Sequence, residues 1–112
     1  MFAVIVAWIV VVLHVVFATA ESIGWSQMGR RFGLSADAIE HTRALAANQG
    51  AYNLGLAVVL GWALATGQDR TVIAMLLYVV AMSLVGAATV RWSILVVQGV
   101  PAALALVLFA LR

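Results

Sequence analysis

The sequence predicts an all-α integral membrane protein: a four-helix bundle with a long first connection, residues 1–112 forming a single four-span domain. Three observations carry this. With 66% hydrophobic and only 9% charged residues, the chain has too little polar surface for a soluble domain of its length. Four segments, roughly Phe2 to Gly24, Ala44 to Thr66, Thr71 to Val90 and Ser93 to Leu111, reach the length of about 20 apolar residues that a bilayer core demands. Unpaired backbone groups cannot face lipid, so such spans must be helices.

The first helix is expected over about 2–24. It lacks a basic n-region, its apolar run is long, and Glu21 interrupts any small-residue cleavage site, so it reads as a retained span and not a signal peptide. The connection Trp25 to Arg43 follows. Gly29 and Gly33 bracket Arg30-Arg31-Phe32, which suits an irregular interfacial loop. Ser35 then has the character of an N-cap, with Asp37 in the first turn, so the second helix (36–66) begins near Ala36, before it enters the membrane. Gly67-Gln68-Asp69-Arg70 is a tight turn, with Asp69 or Thr71 as cap of the third helix (71–90). Arg91-Trp92 makes a second short turn into the fourth (93–111), where Pro101 falls early enough for its missing N–H to be tolerated. Short turns make helices 2 and 3, and 3 and 4, antiparallel neighbours.

All six basic residues are Arg, placed singly or in one pair at the ends of apolar runs. That is the pattern of topology-setting charges. No basic stripe could track a phosphate backbone, so no nucleic-acid partner is expected. There is no cysteine, which excludes disulfides and thiolate metal sites. Arg30, Arg31, Arg43 and Arg91 fall on one side and only Arg70 and Arg112 on the other. The positive-inside rule then puts the first and third connections in the cytoplasm and both termini outside, in a cell inner membrane. Absence of Lys suggests GC-rich coding and a bacterial source. Trp25 and Trp92 suit an aromatic belt.

Within this frame His14 and Glu21 stand out. Ionisable groups at bilayer depth cost a few kcal/mol each. Seven residues apart, they leave the helix on one face, their depths differing by roughly 10 Å. On helix 2, Asn48, Gln49, Tyr52 and Asn53 span an arc of about 140°, with His41 on the same stripe. An antiparallel first helix would put Glu21 level with Asn48 and Gln49, and His14 level with Tyr52 and Asn53. Gln98 enters from the same side, as do Thr89 and Arg91. These groups therefore share the cytoplasmic half of the membrane. An internal repeat points the same way: Gln49-Gly50-Ala51 overlays Gln98-Gly99-Val100, each preceded by Arg43 or Arg91, as if two hairpins were related by a pseudo-two-fold with both Gln facing a central cavity.

The chemistry read from this pattern is a small or lipid-like ligand, bound or acted on from the cytoplasmic leaflet. His14 and Glu21 would be the catalytic pair, Glu21 as general acid/base, with Asn48, Gln49, Tyr52, Asn53 and Gln98 orienting the ligand. Whether a reaction occurs stays open. His14, Glu21 and His41 lack an i, i+3 or i, i+4 ligand pair, so neither metal nor cofactor is expected. Two other classes compete. Proton-coupled transport would resemble the small multidrug exporters, although Glu21 lies at the end of its span and their motifs are missing. In a structural or assembly role the amides are only interhelical glue, at about 0.6 kcal/mol per bond, and the glycines allow close helix approach. A homodimer would enlarge the small cavity that one chain encloses.

The chain resembles the bacterial integral membrane family catalogued as domain of unknown function 1304, over nearly its whole length. The resemblance rests on His14 with Glu21 and Trp25 beyond it, and on Phe32-Gly33-Leu34. It rests further on Ala46-Ala47-Asn48-Gln49-Gly50-Ala51-Tyr52-Asn53, and on Gly86-Ala87-Ala88-Thr89-Val90 followed by Val97-Gln98-Gly99-Val100-Pro101-Ala102. Many relatives carry an acidic residue before the His, where this chain has Leu13, so a mechanism needing a carboxylate beside the imidazole has no support here. The resemblance implies a membrane class and no activity.

Overall fold

The computed structural model describes all 112 residues. It contains five α-helices and no strand: α1 (Phe2–Ser22), α2 (Trp25–Arg31), α3 (Ala36–Ala65), α4 (Asp69–Thr89) and α5 (Val100–Ala110), with a π-helical turn, Leu95–Gly99, leading into α5. α1 and α4 are each long and apolar enough to cross a membrane, while the apolar stretch Leu95–Ala110 is shorter. α3, at 30 residues, is about 45 Å long and sets the long axis of the molecule, 49 Å.

α1 packs antiparallel along α3 in the most extensive contact of the structure, and α5 with its π turn packs back on α4. α1 against α5 and α3 against α4 join the two pairs. The shared core is built largely from small residues: Ala3, Ala7, Ala57, Ala63, Ala102 and Ala105 surround Val10, Leu60, Leu76, Val79 and Phe109. Only 21 of 112 residues are buried, while large apolar side chains such as Ile5, Ile9, Val16, Val58, Leu77 and Val107 face outward. Cohesion between the helices therefore comes from close backbone approach and dispersion more than from bulky interdigitation.

Glycine sets the closest approach in both pairs. A Cβ on Gly50 would meet the hydroxyl of Ser22 and the carbonyl oxygen of Ala18, and one on Gly99 would meet Ser83. The Gln-Gly dipeptides of the sequence repeat thus put each glycine against a serine of the preceding long helix. Gln49 is exposed and Gln98 half-buried, and no hydrogen bond joins the two side chains.

Local signals account for most boundaries. Ser35 caps α3 as expected, its Oγ accepting from the Ala38 amide at 3.1 Å. Three expectations need correction. The segment read as an irregular loop forms α2, because Gly29 serves as a packing surface for Ile39 and not as a helix breaker. α2 ends at Arg31 and the chain turns through Gly33, φ +78°, where the Leu34 amide donates to the Gly29 carbonyl and the Gly33 amide to that of Arg30. α4 begins at Asp69 with Gln68 at its N-cap and no side-chain cap, so neither Asp69 nor Thr71 plays that part. Asp69 instead meets Arg112 at 3.7 Å. The fourth apolar segment is not one regular helix. Pro101 lacks the N–H that would close the preceding turn, and a wide π turn takes up the mismatch.

Gly50→Ala is expected to lower unfolding stability in detergent by about 1–3 kcal/mol, because the backbone of α1 must yield to the added methyl. Gly55→Ala, where a Cβ meets nothing, should be neutral or slightly stabilising. Thermal melts followed by circular dichroism compare the two.

Candidate functional site

The first-helix groups arrive at the α1–α3 interface with different fates. His14 is 2% exposed. Its Nδ1–H donates to the Val10 carbonyl at 2.8 Å, and its ring stands edge-on to Phe17 at 5.6 Å. With Nδ1 carrying the proton, Nε2 is the free lone pair. Glu21, half-buried on the same stripe near the end of α1, accepts a hydrogen bond from Asn53 Nδ2 at 2.6 Å. This is the one side-chain hydrogen bond that links α1 to α3.

The partner differs from the expected one for a geometric reason. Gly50 packs on Ala18 and Ser22, and Gly61 lies beside Trp8 and Val11, which fixes the register between the helices. Glu21 then lies axially near Gln49, as expected. Side chains lean toward their helix N-terminus, however, and in an antiparallel pair the two lean toward each other's positions. Glu21 therefore reaches deeper and Asn53 reaches back, and they meet. By the same register His14 lies near Leu56 and Ala57, about one turn deeper than Asn53, and no hydrogen bond joins it to Glu21 or to the amide cluster.

The other amides do not gather around this pair. Asn48, Gln49 and Tyr52 are exposed on the outer side of α3, Tyr52 at 69%. Gln98 is half-buried in the π turn without a hydrogen bond to the pair. His41 is exposed, its Nδ1–H donating to the Asp37 carbonyl at 2.8 Å. No group of three or more His, Asp or Glu side chains is placed to hold a metal ion. Two open depressions lie on the surface, one lined by Gln27, Arg30 and Arg31 and one by Ile5, Trp8, Ile9, Val12 and Leu13. Neither contains His14 or Glu21.

Glu21 has no cation beside it. Arg43 donates to Glu40 and to Ser26, and Arg91 lies over the Phe32 ring at 4.8 Å. Neither guanidinium pairs with Glu21. What remains is a half-buried carboxylate with one amide donor and spare acceptor capacity. Next to it, α2 is tied to α3 by Trp25 Nε1 donating to Thr42 Oγ1 at 3.1 Å and by the Arg43–Ser26 bond at 3.1 Å. Ser22 and Ser83, which the helices use as contact points for Gly50 and Gly99, were not marked by composition. The repeated Gln-Gly was the available signal.

Asn53→Ala should destabilise the protein by about 1–3 kcal/mol, because Glu21 loses its only donor while still half-buried. Asn48→Ala, on the exposed side, should stay within about 0.5 kcal/mol. Unfolding of both variants in dodecyl maltoside measures the contrast.

Neither the curated proteins nor the solved structures include one that matches this sequence. The profile of the family described as "Protein of unknown function (DUF1304)" matches residues 8–110, which carry Glu21, Asn53 and both glycine contacts. The chain belongs to the DUF1304 family.

Proposed function

We propose that this protein is a four-span inner-membrane protein whose Glu21–Asn53 pair binds a small or lipid-like ligand bearing a positive charge or hydrogen-bond donors, reached from the cytoplasmic leaflet. The observation that carries the reading is the half-buried Glu21 carboxylate, engaged by Asn53 and by no cation. In a low-dielectric setting such a group favours an added donor or cation. Asn53 holds one carboxylate oxygen and so orients the other. His14 offers Nε2 deeper along the same face and would act as a proton partner if a reaction follows. Gln98, half-buried at the same end, would contact the rim of a bound molecule, whereas Asn48, Gln49 and Tyr52 lie on the outer side of α3.

The membrane assignment is supported by the outward apolar side chains on every long helix and by charges confined to the helix ends and the first connection. Arg30, Arg31, Arg43 and Arg91 at one end, against Arg70 and Arg112 at the other, support cytoplasmic connections and external termini. Because the chain has no cysteine, single replacements report this directly. Gln68→Cys should react with an impermeant maleimide from outside intact cells, and Gln27→Cys only after permeabilisation.

A second reading has its own observation. Asn48, Gln49 and Tyr52, exposed on α3, favour assembly with another copy, each amide being both donor and acceptor. Native mass spectrometry of protein extracted from its membrane tests both. Binding predicts a defined adduct on the wild type that Glu21→Gln and Asn53→Ala both lose. Assembly alone predicts a dimer mass with no adduct in any of the three.

A further inference from the structure

All four acidic side chains have a partner within the chain: Glu21 with Asn53, Asp37 with His41, Glu40 with Arg43 and Asp69 with Arg112. Arg30 and Arg31 at the end of α2 are exposed and make no ion pair with any of them. Gln27 lies three and four residues before them, on the same side of the helix, and these three residues alone line an open depression. The orientation of α2 is fixed from behind. Trp25 bonds to Thr42, Gly29 is buried under Ile39, and the turn at Gly33 closes the helix, so the other face points outward. A third guanidinium belongs to the same neighbourhood. Arg91, two residues past the end of α4, sits over the ring of Phe32, the residue that follows Arg31. That contact ties the depression to the level at which α4 ends.

We infer that this depression is a binding site for the phosphate of an anionic phospholipid headgroup, held by Arg30 and Arg31 with Gln27 at its rim. The inference rests on the membrane reading above and is independent of the Glu21 ligand. A guanidinium fork matches two phosphate oxygens at once, and arginines beside a membrane span attract anionic lipid at about five-fold in binding per residue. The openness of the depression decides between a lipid and a free phosphate. It has no enclosing wall to strip a hydrated ion, whereas a lipid is kept at high local concentration by its acyl chains and needs only weak headgroup contacts.

The test uses the full chain in nanodiscs of phosphatidylcholine containing a minor fraction of phosphatidylglycerol, released into a native mass spectrometer. Wild type should retain phosphatidylglycerol in preference to phosphatidylcholine. Arg30→Gln and Arg31→Gln should each lower that occupancy about five-fold, and Arg70→Gln, which removes the same charge at the opposite end, should leave it unchanged. Helical circular dichroism confirms that each variant is folded. Equal retention of the two lipids by wild type overturns the inference, as does an Arg70→Gln loss as large as that of Arg31→Gln. Binding of inorganic phosphate to the detergent-solubilised protein with the same arginine dependence would also overturn it, by making a free anion the occupant. Entry into pure phosphatidylcholine discs is read separately. If the protein enters no disc, the membrane reading fails; if it enters but shows no lipid preference, only the site does.

Discussion

The missing side chain at position 50 lets α3 lie against the Ala18 carbonyl and Ser22, and much of the molecule follows from that approach. It fixes the register of the longest helix pair, and the register brings Glu21 and Asn53 within hydrogen-bonding distance while leaving His14 deeper. With a core built largely from alanine and valine, there is little bulk to correct a slip. The second pair repeats the device with Gly99 and Ser83, and α1 on α5 then joins the two. Close approach thus does for this chain what large interlocking side chains do in soluble cores.

The features legible in the sequence were the local ones. Ser35 announces its helix because a cap is decided within three residues, and Gly67, at φ +67°, ends α3 for an equally local reason. The family was legible from its Asn-Gln-Gly-x-Tyr-Asn string. Features that depend on partners were harder. Gly29 reads as a breaker until Ile39 is seen resting on it. Asn53 could be assigned to Glu21 only by allowing for the opposed lean of side chains in antiparallel helices, which depth-matching along the axes ignores. Asn48, Gln49 and Tyr52 share α3 with Asn53, yet rotations of about 140°, 40° and 100° around the helix axis put them on its outer side.

Polar chemistry in this chain is concentrated at one end. The Glu21–Asn53 pair, the Trp25–Thr42 and Arg43–Ser26 bonds and the Arg91–Phe32 stack all belong to the end where α1, α2 and the start of α3 meet the α4–α5 connection. The opposite end is closed more simply, by Arg112 between Asp69 and the Phe109 ring. An end stitched by several hydrogen bonds keeps its groups oriented, which a recognition site requires.

On the proposed membrane reading, the π turn and Pro101 have a consequence for the lipid around the protein. The apolar stretch Leu95–Ala110 has 16 residues, about 24 Å of rise, whereas α1 and α4, with 21 residues each, rise about 31 Å. A hydrocarbon layer of about 30 Å matches α1 and α4 and overhangs α5. Arg91 and Arg112 flank that shorter wall and can extend their stems toward the headgroups. On the membrane reading, the lipids along α5 therefore meet a hydrophobic mismatch that those along α1 do not. The protein would pinch the bilayer on one flank only, and molecules of other thickness would sort to that flank or away from it.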